Sequence, residues 1–347
     1  AGLRGQHRDD AALGIPELPL TEILRQHGYA TAAFTGGGFL GPPFDFGRGF
    51  DVFYAFPQPK HAEGCSPERF DGDEVFRRAG EWLRTNGTRP FFLFVHTYDV
   101  HDRCPFLPPG AADQFGSWPP LSDSQQAALQ AHYRTLITRT DRKVGDLLDQ
   151  VTALGARDRT VVIVTSDHGE GLSEHDQRGH SCRLRPYEEI VRVPLMLRDP
   201  TRLPAGRRID TPVSLLDIAP TVLTLLDIAP PAWMTGHLLP GLGLPSPTPP
   251  APVVVLCDRQ MALRDGRDKL LARYGALDTD ELYDIVADPH ESTNRTTAAP
   301  DTLRALRALA AQTWQPSQFD EQENNPVDTK TLDPAARERL RALGYMQ

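Results

Sequence analysis

Residues 166–170 read Ser-Asp-His-Gly-Glu and place a carboxylate beside an imidazole directly after an apolar run. Asp167 and His168 could together hold a divalent metal ion, since both side chains are common metal ligands. Gly169 would let the backbone turn sharply behind them. The same residues also suit an ordinary turn at a strand end, in which Asp167 is only the capping residue of the turn. On their own they do not decide between a metal site and a turn.

Imidazoles and carboxylates also follow other apolar runs of the chain. The run 91–97 contains one histidine, and His101 and Asp102 come shortly afterwards, while a later Gly-His pair ends in His180. A single histidine is more often a packed or surface residue than a functional one. Several such groups at the ends of separate strands are nevertheless typical of α/β enzymes, because their sites lie at the carboxyl edge of the sheet.

The elements that would position these residues alternate along the first two thirds of the chain. Apolar, β-rich runs cover residues 30–35, 91–97 and 160–166, and each follows a stretch with helical spacing. This alternation predicts an α/β fold with a mostly parallel sheet that contains all three strands. The predicted helices of this region cover residues 18–27, 73–84, 122–154 and 215–226.

The composition changes near residue 240, where Pro and Gly become frequent up to residue 252. Three β-rich runs follow, and Asp265-Gly266 between two of them is typical of a hairpin turn. We therefore expect an α/β domain over residues 1–240 and a smaller subdomain, with an antiparallel sheet and helices, over residues 241–347. The predicted strands are 253–257, 261–264 and 269–273, and the predicted helices are 302–313 and 334–343.

The overall composition excludes several classes of protein. The 347 residues carry 37 basic and 46 acidic side chains, and the net charge of −9 argues against a general nucleic-acid binder. The longest apolar runs are too short to cross a bilayer. Four cysteines without metal-type spacing exclude a zinc ribbon or a disulfide scaffold.

The segment that begins at residue 166 resembles the metal-binding block of the sulfatase family, a branch of the alkaline-phosphatase-like superfamily. The resemblance extends through Glu174-His175, Gly179-His180 and the Tyr-Glu-Glu of residues 187–189 to Pro194, in the same order and spacing. Residues 91–101 resemble the family strand that leads to a histidine of the catalytic site. Other family-like segments are residues 29–34, 48–51, 141–148, 214–221, 281–291 and 340–345.

The resemblance implies an alkaline-phosphatase-like sandwich that hydrolyses a sulfate monoester. Asp167 and His168 match metal ligands, usually of calcium. His101 matches a histidine that contacts the sulfate and protonates the leaving oxygen, and His180 matches a Lys or His against the sulfate. These roles fit the reaction, because the departing alkoxide needs an acid and the non-bridging oxygens need a cation.

The resemblance further implies a sulfated small molecule or glycan as the partner. Family members favour a periplasmic, extracellular or surface-anchored location, although this chain shows no leader or anchor motif. Residues 36–38 are glycines where many members carry Lys and His. The choice among a sulfated sugar, sterol or aryl compound therefore stays open.

The family's nucleophile segment has no match at its expected place. That segment is Cys- or Ser-x-Pro-x-Arg, and its Cys or Ser becomes formylglycine. Residues 1–3 resemble the Thr-Gly-Leu that stands directly after the segment in the family. We therefore expect the nucleophile and half of the metal shell to precede Ala1, and this chain alone to be catalytically incomplete. Residues 65–69 fit the pattern literally, but they come after the strand 30–35 instead of before it, so we expect Cys65 to lie outside the site and to stay unconverted.

Two other functions remain open from the residues. The first is a phosphate or phosphonate ester hydrolase of the same superfamily, where Asp-His ligand pairs also occur. The second is a non-catalytic fragment with a binding or structural role. The Glu-His, Gly-His and Tyr-Glu-Glu block and the C-terminal region favour the sulfatase.

Overall fold

The computed structural model describes residues 18–37, 40–42, 45–57, 72–101, 121–180, 184–243, 251–257, 259–273 and 279–313. The predictions for Cys65, Asp102 and the helix 334–343 lie outside the described residues. The chain forms two compact units, here called the first unit (within Arg8–Thr160) and the second unit (within Val161–Val327). The predicted domain boundary at residue 240 stays a prediction.

The first unit is built on a three-stranded parallel sheet with the strand order β2-β1-β3. Ala32 lies opposite Val52 on one side and opposite Leu93 on the other. The strands 30–35 and 91–97 are thus confirmed as parallel neighbours, whereas β2 was not predicted. The elements of this unit are α1 (Leu20–Gln26), β1 (Ala30–Thr35), β2 (Val52–Ala55), α2 (Gly72–Asn86), β3 (Phe91–Val95) and α3 (Asp123–Ala153).

The core of the first unit forms between β1 and the helices. Every residue of β1 is buried, which explains why this strand is a continuous apolar run without alternation. Ala32 packs with Val75 and Ala79 of α2 in one cluster. Leu83 of α2 and Val151 of α3 belong to a second cluster. This packing holds β3, and the residues that come after it, in place.

The described strands of the second unit form three antiparallel sheets. The strand predicted at 160–166 exists as β4, but its hydrogen-bonded neighbour among the described residues is β7, with Thr165 opposite Leu195. Its predicted place in the parallel sheet stays a prediction, because β4 and the three parallel strands belong to different units. The elements are β4 (Val162–Thr165), β5 (Gly171–Leu172), β6 (Arg178–Gly179), α4 (Glu188–Val191), β7 (Leu195–Arg198), α5 (Ile218–Leu225), β8 (Val253–Cys257), β9 (Gln260–Asp265), β10 (Asp268–Arg273), β11 (Glu281–Asp284) and α6 (Pro300–Thr313).

The predicted antiparallel sheet after residue 250 is confirmed, with the order β11-β10-β9-β8. Gly266 has a φ of 58° in the turn between β9 and β10, a conformation that glycine adopts without steric cost. One face of the sheet packs on α6 through buried residues such as Met261, Leu270 and Leu306. β11 was not predicted. In the described part of the chain, no helix has both the length and the apolar character needed to cross a membrane.

Candidate functional site

Asp167 and His168 directly follow β4 and present ligand atoms close together. His168 Nε2 lies 3.7 Å from Asp167 Oδ2. The backbone N–H of His168 donates to Asp167 Oδ1 at 3.1 Å, which orients the carboxylate. His168 Nδ1 lies 2.8 Å from the carbonyl oxygen of Gly169, so Nδ1 carries the proton and Nε2 keeps its lone pair.

This geometry fits part of a divalent metal site. A metal-binding histidine usually donates its other ring N–H to a carbonyl or carboxylate, as His168 does. The Asp167 side chain is 66% exposed, so a cation can reach it. Within the described ranges no group of three or more His, Cys, Asp and Glu side chains could hold a metal. The two residues would therefore supply only part of a coordination sphere, and their role as ligands stays a prediction.

Position 169 requires glycine, because the backbone there lies too close to α4 to leave room for a side chain. A Cβ atom at this position would lie 2.1 Å from the carbonyl oxygen of Glu189. The N–H of Gly169 instead donates to the carbonyl oxygen of Ile190 at 2.7 Å. The backbone behind the ligand pair is thus held by the first turn of α4.

His180 is brought to His168 by the hairpin of β5 and β6. It directly follows β6, and its ring stacks on the His168 ring with the centroids 3.8 Å apart. The structure therefore places three of the four predicted site residues together: Asp167, His168 and His180. Sequence reasoning missed Glu170, whose Oε2 lies 2.9 Å from His180 Nδ1 while both side chains are 5% exposed. This buried carboxylate holds the Nδ1 proton and turns Nε2 of His180 away from itself.

The tip of the same hairpin has an unusual backbone. Ser173, His175 and Asp176 have φ values of 90°, 48° and 56°, which non-glycine residues seldom adopt. His175 fixes this tip, because its Nδ1 lies 2.8 Å from Glu189 and its ring stacks on Tyr187 at 3.8 Å.

Both ring nitrogens of His175 face acceptors, since Nε2 lies 3.3 Å from the carbonyl oxygen of Glu291. Burial opposes protonation, but the hydrogen bond and charge of Glu189 together with the interactions of Glu291 outweigh it and raise the pKa of His175 above its ordinary value. His175 therefore anchors the hairpin instead of facing a ligand.

His101 lies in the first unit, in a single 3-10 turn that begins at Asp99 after β3. It is buried, its N–H donates to the carbonyl oxygen of Tyr98 at 2.8 Å, and its ring meets the Tyr98 ring edge-on at 5.7 Å. Its place in one cleft with Asp167, and its role toward a sulfate, stay predictions.

The turn that carries His101 is tied to two helices, which sequence reasoning did not foresee. Lys143 of α3 pairs with Asp99 at 2.7 Å and with Asp73 at 2.5 Å. Asp99 also accepts the N–H of Gly72 at the start of α2, at 3.1 Å. Burial lowers the pKa of Lys143, but the hydrogen bonds to both carboxylates outweigh this and raise it. A lysine on one helix and an aspartate 44 residues away carry no local signal of their contact.

Comparison with known proteins identifies related sequences. The family model described as Sulfatase matches residues 4–228. The choline-sulfatase of Rhizobium meliloti (strain 1021) is 34% identical over 203 residues, which cover 54% of this chain and 38% of the relative. Arylsulfatase K of Mus musculus is 29% identical over 287 residues, 66% of this chain and 51% of the relative. The N-acetylglucosamine-6-O-sulfatase of Bacteroides thetaiotaomicron is 28% identical over 213 residues, 58% of this chain and 37% of the relative. The chain thus spans about half or less of these relatives' length.

Solved structures share the fold. A 2-O GAG sulfatase superimposes with a TM-score of 0.64 at 19% identity, covering 94% of this chain and 79% of the other. The phosphonate monoester hydrolase of Agrobacterium radiobacter reaches a TM-score of 0.66 at 20% identity, covering 88% and 82%. Together with the parallel sheet of the first unit and the antiparallel sheet of β8–β11, these likenesses confirm the predicted fold class.

Proposed function

Because this chain belongs to the sulfatase family, we propose that it takes part in the hydrolysis of a sulfate monoester. The observation that carries the proposal is the convergence of Asp167, His168 and His180 behind β4. The first two residues present an oxygen and a nitrogen to one cation. The third lies beside them with its ring stacked on His168 and its Nδ1 held by Glu170.

Each of these groups has a distinct role in the proposed reaction. A bound divalent cation would offset the negative charge on the non-bridging sulfate oxygens. His180 would bind a sulfate oxygen by donating Nε2–H, which requires both ring nitrogens to carry a proton while Glu170 accepts Nδ1–H. His101 would protonate the leaving alcohol oxygen, a step that needs an imidazole within hydrogen-bond reach.

We propose calcium as the metal. The carboxylate oxygen of Asp167 is the kind of ligand that calcium prefers, and the imidazole of His168 is accepted in the family site that this segment resembles. Calcium takes about six to eight oxygen ligands, so other groups must complete the shell. Elemental analysis of the purified protein, with titrations of calcium, magnesium and manganese, tests this choice.

The nucleophile that we propose is formylglycine. The described residues contain no Cys- or Ser-x-Pro-x-Arg segment, so they account for metal and sulfate contacts and not for the nucleophile. The chain should be assayed beside a version extended by any upstream coding sequence. Turnover only in the extended protein supports the proposal. Equal turnover by both would place the nucleophile in this chain, with Cys65 as the residue to test.

The substrate class that we propose is a sulfated small molecule or glycan, because the related proteins include a choline-sulfatase and an N-acetylglucosamine-6-O-sulfatase. The assay uses 4-nitrophenyl sulfate with excess calcium, and then choline sulfate and sulfated N-acetylglucosamine. In the extended protein, D167N and H168A should each lower kcat/KM by at least about 100-fold, since each removes a proposed ligand. D149N, which changes an exposed aspartate of α3, is the matched control and should retain full activity.

A second candidate function is phosphonate monoester hydrolysis, which the structural likeness to the Agrobacterium radiobacter enzyme favours. Parallel assays with an aryl sulfate and an aryl phosphonate monoester distinguish the two. A kcat/KM at least about tenfold higher for the phosphonate would replace the sulfatase proposal.

We also propose that the protein works in an oxidising compartment, such as the periplasm or the cell exterior. Cys257, the last residue of β8, is disulfide-bonded, and disulfides persist mainly in such compartments. Peptide mapping of protein from its native host, without reduction, tests this. A free Cys257 thiol would contradict it.

A further inference from the structure

A buried lysine from the C-terminal sheet lies between two carboxylates in the second unit. The Lys269 side chain of β10 is 1% exposed, and its Nζ lies 3.0 Å from Glu188 Oε1 and 2.8 Å from Glu291 Oε1. Glu291 is fully buried, and this burial raises its pKa despite the attraction of Lys269. Packed apolar residues of similar volume often stabilise a fold as well as such a cluster, so stability alone does not explain it.

The cluster determines where α4 begins. Glu188 is the first residue of that helix, and its backbone N–H donates to Glu291 Oε2 at 2.6 Å. Its side chain is bound to Lys269 at the same time. Both the backbone and the side chain of this residue are therefore attached to the C-terminal part of the unit.

From α4 a continuous path of hydrogen bonds leads to the candidate metal ligand. The carbonyl oxygen of Ile190 accepts the N–H of Gly169 at 2.7 Å. The carbonyl oxygen of Gly169 accepts Nδ1–H of His168 at 2.8 Å. A displacement of α4 would therefore move the peptide that orients the His168 ring.

A second path leads from the same segment to the hairpin that carries His180. Glu189 holds Nδ1 of His175 at 2.8 Å, and the carbonyl oxygen of Glu291 lies 3.3 Å from Nε2 of the same ring. His175 lies at the hairpin tip, and His180 comes directly after the second strand of the hairpin. The two paths converge on the stacked rings of His168 and His180.

We propose that Lys269 is a positioning residue, which acts through Glu188 and α4 to hold Gly169 and His168 in the geometry that the candidate metal site needs. That a metal site is what Lys269 supports rests on the proposed function. That Lys269 is connected to His168 rests on the hydrogen-bond path alone. The C-terminal sheet thereby takes an indirect part in site geometry, through α4.

The test is amide hydrogen exchange of the metal-free protein, because exchange reports the Gly169 hydrogen bond without any substrate. K269M should lower the protection of the Gly169 amide at least about tenfold more than that of Leu270 in the sheet core. R267M is the matched control. It removes a cation near the start of the same strand, where Arg267 pairs with Asp284 outside these two paths. R267M should leave the ratio of the exchange protection at Gly169 to that at Leu270 unchanged.

A second variant keeps the test decisive if K269M fails to fold. K269M/E291Q removes a positive and a negative charge together, so it leaves no additional unpaired carboxylate in the core. It should fold and still show the selective loss at Gly169. Gly169 protection that changes in parallel with that of Leu270 in both variants would overturn the proposal.

Calcium titration by calorimetry provides the link to function. In K269M/E291Q the calcium affinity should fall by about 10- to 100-fold, the usual effect of losing a group that orients a metal ligand. Selective exchange at Gly169 with unchanged calcium affinity would overturn the positioning of His168. A wild-type protein that binds no calcium even when extended by any upstream coding sequence would refute the proposed metal, while the exchange result would still decide the role of Lys269.

Discussion

At the scale of single residues, the candidate site depends on the group to which Nδ1 of each histidine is hydrogen-bonded. The Nδ1–H of His168 donates a hydrogen bond to a backbone carbonyl oxygen, whereas the Nδ1–H of His180 donates to a buried carboxylate. The two rings are therefore oriented by different kinds of acceptor. Glu170 belongs to the site by this argument, since it orients the ring of His180.

The role of Glu170 leads to a prediction on activity. E170L removes the acceptor while nearly keeping the volume, and we expect a loss of about 10- to 100-fold in kcat/KM. E170Q keeps an acceptor oxygen and should lose less. Steady-state kinetics of both variants, with circular dichroism as the folding control, measure the effect. Equal losses in E170L and E170Q would show that the charge, and not the acceptor, matters.

At the scale of elements, the hairpin β5–β6 and the 3-10 turn after β3 are both held by ion pairs from elsewhere in their own units. His175 secures the hairpin, and Lys143 secures the turn of His101. Neither element is long enough to be stable by itself. Their geometry is therefore a property of the contacts and not of local propensity.

The hairpin should show a pH-dependent stability. The pKa of His175 is raised in the folded state, so its contribution is complete below the unfolded value of about 6.5 and is lost as the pH rises through the folded value. The Tm difference between wild type and H175F should therefore shrink from pH 6 toward pH 9. Thermal melts across this range measure it, and a difference that grows with pH would contradict the assignment.

The turn of His101 should depend on Lys143. K143M leaves Asp99 without its cation, and we expect a loss of about 1–3 kcal/mol in the free energy of unfolding. R84M, which removes an exposed arginine that also bridges α2 and α3, is the control and should cost less than about 0.5 kcal/mol. Urea unfolding measures both. Equal losses of unfolding free energy in K143M and R84M would show that the Lys143–Asp99 pair stabilises the fold no more than an exposed contact does.

At the scale of the whole molecule, the two units have separate hydrophobic clusters and hold different parts of the predicted site. His101 belongs to the first unit, whereas Asp167, His168 and His180 belong to the second. Ligand binding should therefore be visible first as stabilisation of the second unit, since that unit carries both predicted ligands.

Calcium should raise the thermal stability of the protein. Binding to the folded state alone at about 100 times Kd stabilises by about 2.7 kcal/mol. D167N should remove most of this shift, whereas D149N should retain it. Differential scanning calorimetry with and without calcium measures the change. A shift of equal size in D167N would contradict the assignment of Asp167.

The amino-acid sequence alone determined the type and order of most elements and the candidate ligand pair Asp167 and His168, which are adjacent in the chain. Helical spacing, apolar runs and residues such as Gly266 act locally, so they can be interpreted without knowing the fold. β2, β11 and the two-residue strands of the hairpin were missed, because short strands take their stability from partners and not from their own sequence.

The tertiary structure decided which distant groups meet. β4 pairs with β7, and Glu170 faces His180 from ten residues away. Lys269 meets Glu188 across 81 residues. Such contacts depend on the direction in which the backbone returns after each connection. A local pattern reports burial and dihedral preference, and it carries no information about that direction.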